Sequence, residues 1–484
     1  MASLAPMKKH ILDHAFSPDS VAVVGASDQS FSFGYHFLKH LLDYKYSGIV
    51  YPVNPRKESI FGLKCYPNLT EVPGEVEFVI CCLPASRILS LLDECAQKNV
   101  KVVHLFTARL SETGRPDAID LEQQILLKAR QYGIRLIGPN CMGVYHPAAG
   151  ISFGYDLPVE PGKIGLVFQS GGAACLLIQQ CGLLGLRFSK AVSYGNALDL
   201  DECDLLEYFM EDSRTEIIAA YFEGVKDGAR FLKTIRQAAA KKPVIAVKGG
   251  RGNSGTRAAA SHTASLAGTQ NIWHTALRQA GVMEVNNFDE MVNILQLFYK
   301  LPPIYGNRAA LMGGGGGKAV IGADLAEEAG LQVPPLTFEF REKLKELAPE
   351  MWDWMGNPID VSIFGDNIDT LLYGIFDLLA DSPEYDFIIR QTVDDNPMDD
   401  DPWTFIIKRE IDAAIVAFKR AKKPLVCVLS GGKPGFDGMK DIRWQTMAEM
   451  RSLLIREGVP VFDTMPEAVT AIGKYVRYWQ GRLR

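Results

Sequence analysis

His262 ends a run of small residues, Gly249-Gly250-Arg251-Gly252-Asn253-Ser254-Gly255-Thr256-Arg257-Ala258-Ala259-Ala260-Ser261, with no bulky side chain for several positions before it. A core histidine is walled in by large apolar neighbours. An imidazole on a glycine-rich segment instead has the form of a mobile reactive group, carried between sites and close to backbone amides that can meet an anion. The chemistry that fits is nucleophilic: a ring nitrogen takes up a phosphoryl group and passes it on. A receiving point is written at Phe168-Gln169-Ser170-Gly171-Gly172-Ala173-Ala174, where an apolar strand pattern runs into an apolar helical one. Ser170, Gly171 and Gly172 would present several amides at a helix N-terminus, whose dipole favours a phosphoryl group. The spacing is not Gly-x-Ser-x-Gly, so Ser170 is not assigned as a hydrolase nucleophile. Glu223, in Tyr221-Phe222-Glu223-Gly224, closes another candidate strand. Its carboxylate is placed to accept a hydrogen bond from one imidazole nitrogen and leave the other free to attack phosphorus, or else to cap a helix or pair with a cation.

A second group of residues gathers near the N-terminus. Val24-Gly25-Ala26-Ser27 is a strand turning through small residues into a helix, a form suited to phosphate or pyrophosphate. A nicotinamide fingerprint needs a second glycine where Ser27 stands and an acidic residue after the second strand, which here ends Val53-Asn54-Pro55-Arg56. Arg56 suits an additional phosphate, as on the adenosine end of coenzyme A or on NADP, or is a solvated loop residue. Pro84, in Cys82-Leu83-Pro84-Ala85-Ser86, and Asn140, in Ile137-Gly138-Pro139-Asn140-Cys141-Met142-Gly143, lie at strand ends facing the same crevice, with Asn140 equally readable as a turn-former. Neither glycine tract, Gly250–Gly255 or Gly313–Gly317, continues as Lys-Ser/Thr, so the chain carries no P-loop of its own.

The elements that position these residues are of α/β type. Short apolar runs ending in glycine or proline alternate with amphipathic stretches, the pattern of parallel sheets built from strand–helix–strand units. It restarts three times over the 484 residues, predicting domains at 1–150, 151–304 and 305–484, with Leu301-Pro302-Pro303-Ile304 as a linker. The formal charge of −6 supplies no general basic field, which argues against nucleic acid or an anionic membrane surface as a partner. Nine scattered cysteines show no metal-ligand spacing, so no metal is expected and reduced thiols in a cytoplasm are. No apolar run approaches the roughly 20 residues that span a bilayer, and the N-terminus lacks a long apolar segment.

Taken together, these motifs resemble the nucleoside-diphosphate-forming acyl-CoA synthetases, relatives of the succinyl-CoA synthetase α subunit. Ser20–Ser27, Tyr51–Pro55, Leu136–Gly143, Gln169–Gly172, Tyr221–Gly224 and Gly255–Thr263 carry the likeness in domain order. The resemblance implies a Rossmann-like CoA-binding domain followed by two flavodoxin-like domains. His262 would be phosphorylated, with Glu223 steadying its ring. Ser170, Gly171 and Gly172 would take the phosphoryl group at the acyl site, and Gly25, Ser27, Arg56, Pro84 and Asn140 would line the CoA site. The implied reaction is carboxylate plus CoA plus ATP giving acyl-CoA, ADP and phosphate, reversibly, through an acyl phosphate. ATP and Mg2+ would bind an ATP-grasp β subunit, in an α2β2 assembly. The alternatives are a non-catalytic CoA or acyl-CoA-binding regulator and an NADP-dependent oxidoreductase. Three departures from the family pattern stand out: Arg109 in the segment Thr107–Gly114, Met312 ahead of the third domain's glycines, and the acidic run Asp394–Asp401, which reads as a solvated loop before a metal site. Phe168, Tyr194 and Phe222 suit an aromatic or bulky acyl group, or core packing.

Overall fold

The computed structural model describes residues 9–252, 254, 255, 257, 270–361, 367–392, 398–420, 422–429 and 438–483, with the backbone alone at 270. They form two compact units, Met1–Met291 and Val292–Arg484.

The first unit holds two sheets. β1 (Ser20–Val24), β2 (Ile49–Val53), a short hairpin of β3 (Ser59–Ile60) and β4 (Leu63–Lys64), β5 (Phe78–Cys81), β6 (Val102–Leu105) and β7 (Arg135–Ile137) follow in sequence. The main sheet runs β2-β1-β5-β6-β7, parallel throughout. All of β1, Ser-Val-Ala-Val-Val, is buried, as expected of a strand covered by helices on both faces. β8 (Gly143–Tyr145), β9 (Ile164–Phe168), β10 (Phe188–Ser193), β11 (Ile217–Phe222), β12 (Val244–Lys248) and β13 (Met283–Val285) build the second sheet, ordered β13-β12-β11-β9-β10-β8. It is parallel except for β8, which pairs antiparallel with β10. Thus the segment ahead of residue 150 already contributes an edge strand to the second sheet. The carboxyl ends of β9, β11 and β12, neighbours in space, are the places where Ser170, Glu223 and the segment leading to His262 begin.

The second unit has a four-stranded parallel sheet, β14 (Ala309–Gly313), β15 (Phe387–Gln391), β16 (Leu425–Val428) and β17 (Val461–Phe462), in that order. Its last helix, Met465–Gly481, opens with a reciprocal cap between Thr464 and Glu467. Gly356–Val361 joins this sheet through a single bridge, Ile359 to Met312. Pro358 has no N–H to give a ladder, so the pairing is confined to Ile359, whose N–H donates to Leu311 O at 2.8 Å and whose carbonyl accepts from Gly313 N at 2.9 Å.

Among the described residues of the first unit, the histidines His40, His104 and His146 are buried. His104 Nε2 meets Cys141 O at 3.0 Å and His146 Nδ1 meets Phe16 O at 2.7 Å, contacts that fix a neutral tautomer with the proton on the bonded nitrogen. Burial lowers all three from 6.5 to about 4. The unfolded chain therefore binds more protons than the folded one between about pH 4 and 6.5, and stability rises with pH across that window, by about 1.4 kcal/mol per pH unit for each group. Urea unfolding at pH 4.5, 5.5, 6.5 and 7.5 should show a midpoint that climbs to pH 6.5 and then levels, with a shallower climb in His104→Asn. A flat profile from pH 4.5 to 7.5 would contradict these assignments.

Candidate functional site

Three strand ends converge at the carboxyl edge of the second sheet. β9 delivers Gln169 and Ser170, and Ser170 is the N-cap of the helix Gly171–Leu183, its Oγ accepting from Ala173 N at 3.4 Å. That bond satisfies one N–H of the first turn and leaves the hydroxyl in a structural role. A Cβ built on Gly172 would meet nothing within 4 Å, so the chain is uncrowded on that side of the opening turn. β11 delivers Glu223, 4% exposed. Its backbone N–H and that of Gly224 donate to Gln169 Oε1 at 2.7 and 3.3 Å, which ties the ends of β9 and β11 together. Tyr221 OH donates to Glu223 Oε1 at 3.2 Å, and Lys248 Nζ, at the end of β12, donates to Glu223 O at 2.7 Å.

Glu223 is not a helix cap, because Asp227 caps the following helix, Gly228–Lys241, through Arg230 N. Burial lowers Lys248 to about 8, although the negative charge of Glu223 works against that fall. Its ammonium also lies 5.0 Å from the centre of the Trp273 ring. Directly after Lys248 the chain leaves the sheet at Gly249, where a Cβ would collide with Tyr221 OH. The histidine-bearing segment therefore departs beside Glu223, held further along by Arg251 NH1 donating to Asn286 Oδ1 at 3.1 Å. His262 itself lies outside the described residues.

The second cluster forms at the carboxyl edge of the first sheet. Gly25 has φ +87°, its N–H donates to Val53 O at 3.0 Å, and a Cβ there would sit 3.0 Å from Cys82 O. Only glycine lets β1 turn this close to the end of β5. Ser27 Oγ accepts from Gln29 N at 3.0 Å. Arg56 is exposed and has no side-chain partner among the described residues; its N–H donates to Asn54 Oδ1 at 2.9 Å, and Asn54 Nδ2 donates to Ala26 O at 2.7 Å. Pro84 is exposed at the head of a single 3-10 turn, Ala85–Arg87. Asn140 has φ +59°, so it is a turn-former by conformation, and its side chain is partly open. Its Nδ2 lies 3.5 Å from Asn196 Oδ1, while Asn196 Nδ2 donates to Glu112 Oε2 at 2.8 Å. Glu112 also accepts from Arg109 N and Leu110 N, which leaves the Arg109 side chain exposed.

Sequence reasoning gave Gln169, Tyr221, Lys248, Asn196 and Glu112 no part here. The available signal was a polar residue at the end of an otherwise apolar strand. Phe168, Tyr194 and Phe222, raised as possible acyl contacts, are fully buried. Phe168 packs against Tyr221 and Phe288, and Phe222 against Phe231 and Trp273, so these rings are core. Among the described residues one group, Asp201, Glu202 and Cys203, brings three donor atoms within 4.8 Å. Asp201 is already engaged as a helix cap for Cys203 N and Asp204 N and pairs with Arg230 at 3.1 Å. Of the acidic run, residues 394–397 lie outside the described residues. Asp400 and Asp401 open the helix Asp400–Arg420, where negative charge suits the dipole, and Asp400 pairs with Arg443 at 2.9 Å.

Two sheets with small-residue turns at their carboxyl edges, one suited to a phosphorylated cofactor and one to a phosphoryl group, define the class of a CoA-binding domain joined to a succinyl-CoA-ligase-like domain. Family models agree: residues 19–147 match a CoA binding domain and residues 161–298 a succinyl-CoA ligase like flavodoxin domain. The chain is 38% identical over 379 residues to the α subunit of ADP-forming acetate–CoA ligase II of Pyrococcus furiosus, covering 78% of this chain and 82% of that one. It is 33% identical to the α subunit of ADP-forming acetate–CoA ligase I of the same organism, covering 97% and 99%. An acetyl-coenzyme A synthetase 1 of Ca. Korarchaeum cryptofilum, described as dinucleotide forming and solved with phosphate and ADP, superposes with a TM-score of 0.81 at 27% identity over 98% of each chain. The chain belongs to the family of ADP-forming acyl-CoA ligase α subunits. No helix among the described residues is long and apolar enough to cross a membrane.

Proposed function

We propose that this chain is the α subunit of an ADP-forming acid–CoA ligase. It would convert a small carboxylic acid, CoA and ATP into acyl-CoA, ADP and phosphate, and run the reaction in reverse. The observation that carries the reading is the convergence of Glu223, the amides of the helix Gly171–Leu183 and the departure point of the His262 segment on three adjacent strand ends. His262 takes the γ-phosphoryl group of ATP on a ring nitrogen while Glu223 accepts a hydrogen bond from the other nitrogen. A carboxylate oxygen then attacks phosphorus as the histidine leaves, and the acyl phosphate rests at Ser170, Gly171 and Gly172. The CoA sulfur attacks the acyl carbon, phosphate departs with the C–O bonding pair, and the thiol proton passes to solvent.

Gly25, Ser27, Arg56, Pro84 and Asn140 line the CoA side, Arg56 meeting a phosphate of the adenosine end. ATP and Mg2+ belong to an ATP-grasp β subunit in an α2β2 assembly, a reading supported by relatives that are themselves α subunits. The division of labour follows 1–150 for CoA, 151–304 for the phosphohistidine step and 305–484 for a further ligase domain. Nine cysteines without disulfides fit the reducing cytoplasm. The match of residues 19–147 to a CoA binding domain favours CoA over NADP at the first turn.

The test is release of ADP and acyl-CoA from acetate, CoA and ATP–Mg2+ with the β subunit present. Acid-dependent release of both supports the assignment. ADP release that ignores the acid, or none with acetate and a panel of branched and aromatic acids, overturns it.

A further inference from the structure

The segment Gly138–Met142 links the two sheets of the first unit, running from β7 in one to β8 in the other. It is fixed from both sides. Asn140 N donates to Thr107 O at 2.9 Å on the side of the first sheet. On the side of the second, Asn196 N donates to Pro139 O at 3.0 Å and Met142 N donates to Ser193 Oγ at 3.2 Å. Between these anchors Cys141 is buried, its carbonyl meeting His104 Nε2. The backbone of Met142 is thus placed firmly, while its side chain is only half-buried.

That side chain lies over the first residue of the helix Gly171–Leu183. A Cβ on Gly171 would collide with Met142 Cγ and come within 3.2 Å of Met142 Cβ and 3.3 Å of its N. Glycine at 171 is what makes room for Met142, and Met142 in turn fills the space where a side chain on 171 would stand. Two residues before it, Asn140 belongs to the cluster at the edge of the first sheet.

We propose that Met142 is the specificity-determining wall of the acyl pocket, and that its thioether limits the enzyme to short acyl groups. The inference rests on reading Ser170–Gly172 as the acyl-phosphate position and the Asn140 turn as a CoA contact. During transfer the acyl carbon is bonded first to the phosphate oxygen and then to the CoA sulfur, so it must lie between those two positions. Met142 is an apolar side chain that packs on Gly171 and lies two residues from Asn140, the two ends of that span. Methionine suits the role, since an unbranched, flexible thioether fills irregular apolar space and re-forms around small changes of shape. Shortening it opens the volume next to Gly171 to a larger acyl group.

The test uses the full chain and three probes, acetyl-CoA, isobutyryl-CoA and phenylacetyl-CoA, with CoA as the reference, by titration calorimetry. Met142→Ala is expected to shift the affinity ratio of phenylacetyl-CoA to acetyl-CoA by about tenfold towards the larger group, the scale of a change of a few methylenes in an apolar pocket. CoA itself should bind within about twofold of wild type, because the adenosine and phosphate contacts are untouched. Met142→Val, a gentler truncation, should move the ratio in the same direction, which keeps the test decisive should Met142→Ala fold poorly. Unchanged ratios in a folded variant that still binds CoA overturn the role of Met142 and leave the ligase reading intact. If wild type binds neither CoA nor any acyl-CoA, the CoA reading falls and this inference with it.

Discussion

His262→Asn should lower turnover by more than about a thousandfold while leaving CoA affinity within about twofold of wild type. Asparagine keeps a polar side chain of moderate size but has no nitrogen that can carry a phosphoryl group, so the path from nucleotide to carboxylate is cut. The cluster around Gly25, Ser27 and Asn140, proposed to hold CoA, gathers at the edge of the other sheet of the unit and does not depend on the imidazole. The split between lost turnover and retained CoA binding separates this outcome from general misfolding. Glu223→Gln should be milder, because the amide still accepts a hydrogen bond from an imidazole N–H but no longer stabilises a cationic ring. Steady-state ADP release with the β subunit present, together with calorimetric titration of CoA, measures both quantities. Turnover of His262→Asn within tenfold of wild type would contradict the assignment.

The second large effect concerns stability. In the second unit Arg390 of β15 and Glu410 of the helix Asp400–Arg420 are both fully buried and pair at 2.7 Å. Arg390 NH1 further donates to Met312 O at 3.1 Å and to Gln391 O, tying β15 to the end of β14 and to the turn at Gly313, where a Cβ would run into the guanidinium. Arg390→Met leaves a buried carboxylate without its cation and should cost about 3–5 kcal/mol. Against the roughly 5–15 kcal/mol that holds an ordinary domain folded, that is a large fraction. Removing both charges, as Arg390→Met with Glu410→Leu, should recover most of the loss, since two well-packed apolar groups need no compensating charge. Denaturant unfolding followed in the second unit measures both. A single variant within 1 kcal/mol of wild type would show that the pair holds little together.

Much of the framework was legible because the strands that matter are long apolar runs. Ser20–Val24, Ile164–Phe168 and Val244–Lys248 are buried end to end, and continuous burial writes itself into sequence as an unbroken run of valine, isoleucine and small residues. The shortest strands carry little periodicity of their own: β8 and β13 have three residues each and the β3–β4 hairpin two per strand. β8 also crosses from one sheet to the next, and a run of three residues does not say which sheet it joins. The glycine turns were legible as strand-to-helix turns, because glycine with an N-cap serine after an apolar run marks the point where a strand passes into a helix. The supporting network was not. Gln169 bridging two strand ends and Glu112 reaching Asn196 across 84 positions are pairings between segments distant in sequence, and Tyr221 on the Glu223 carboxylate depends on how the chain bends after β11. The aromatic residues near the strand ends stayed open between two readings for the opposite reason: a large ring carries the same letter in a core as in a pocket, and burial decides between them.

The central claim is that one imidazole carries phosphate between the partner's nucleotide and this chain's acyl site. Incubate the full chain with its β subunit and ATP–Mg2+ in the absence of acid and CoA, then map the phosphorylated residue by mass spectrometry under alkaline conditions that preserve phosphohistidine. The account predicts one acid-labile, base-stable phosphate per chain, on His262, discharged on adding acetate and CoA with formation of acetyl-CoA. A fully active complex in which His262 never becomes phosphorylated would contradict it.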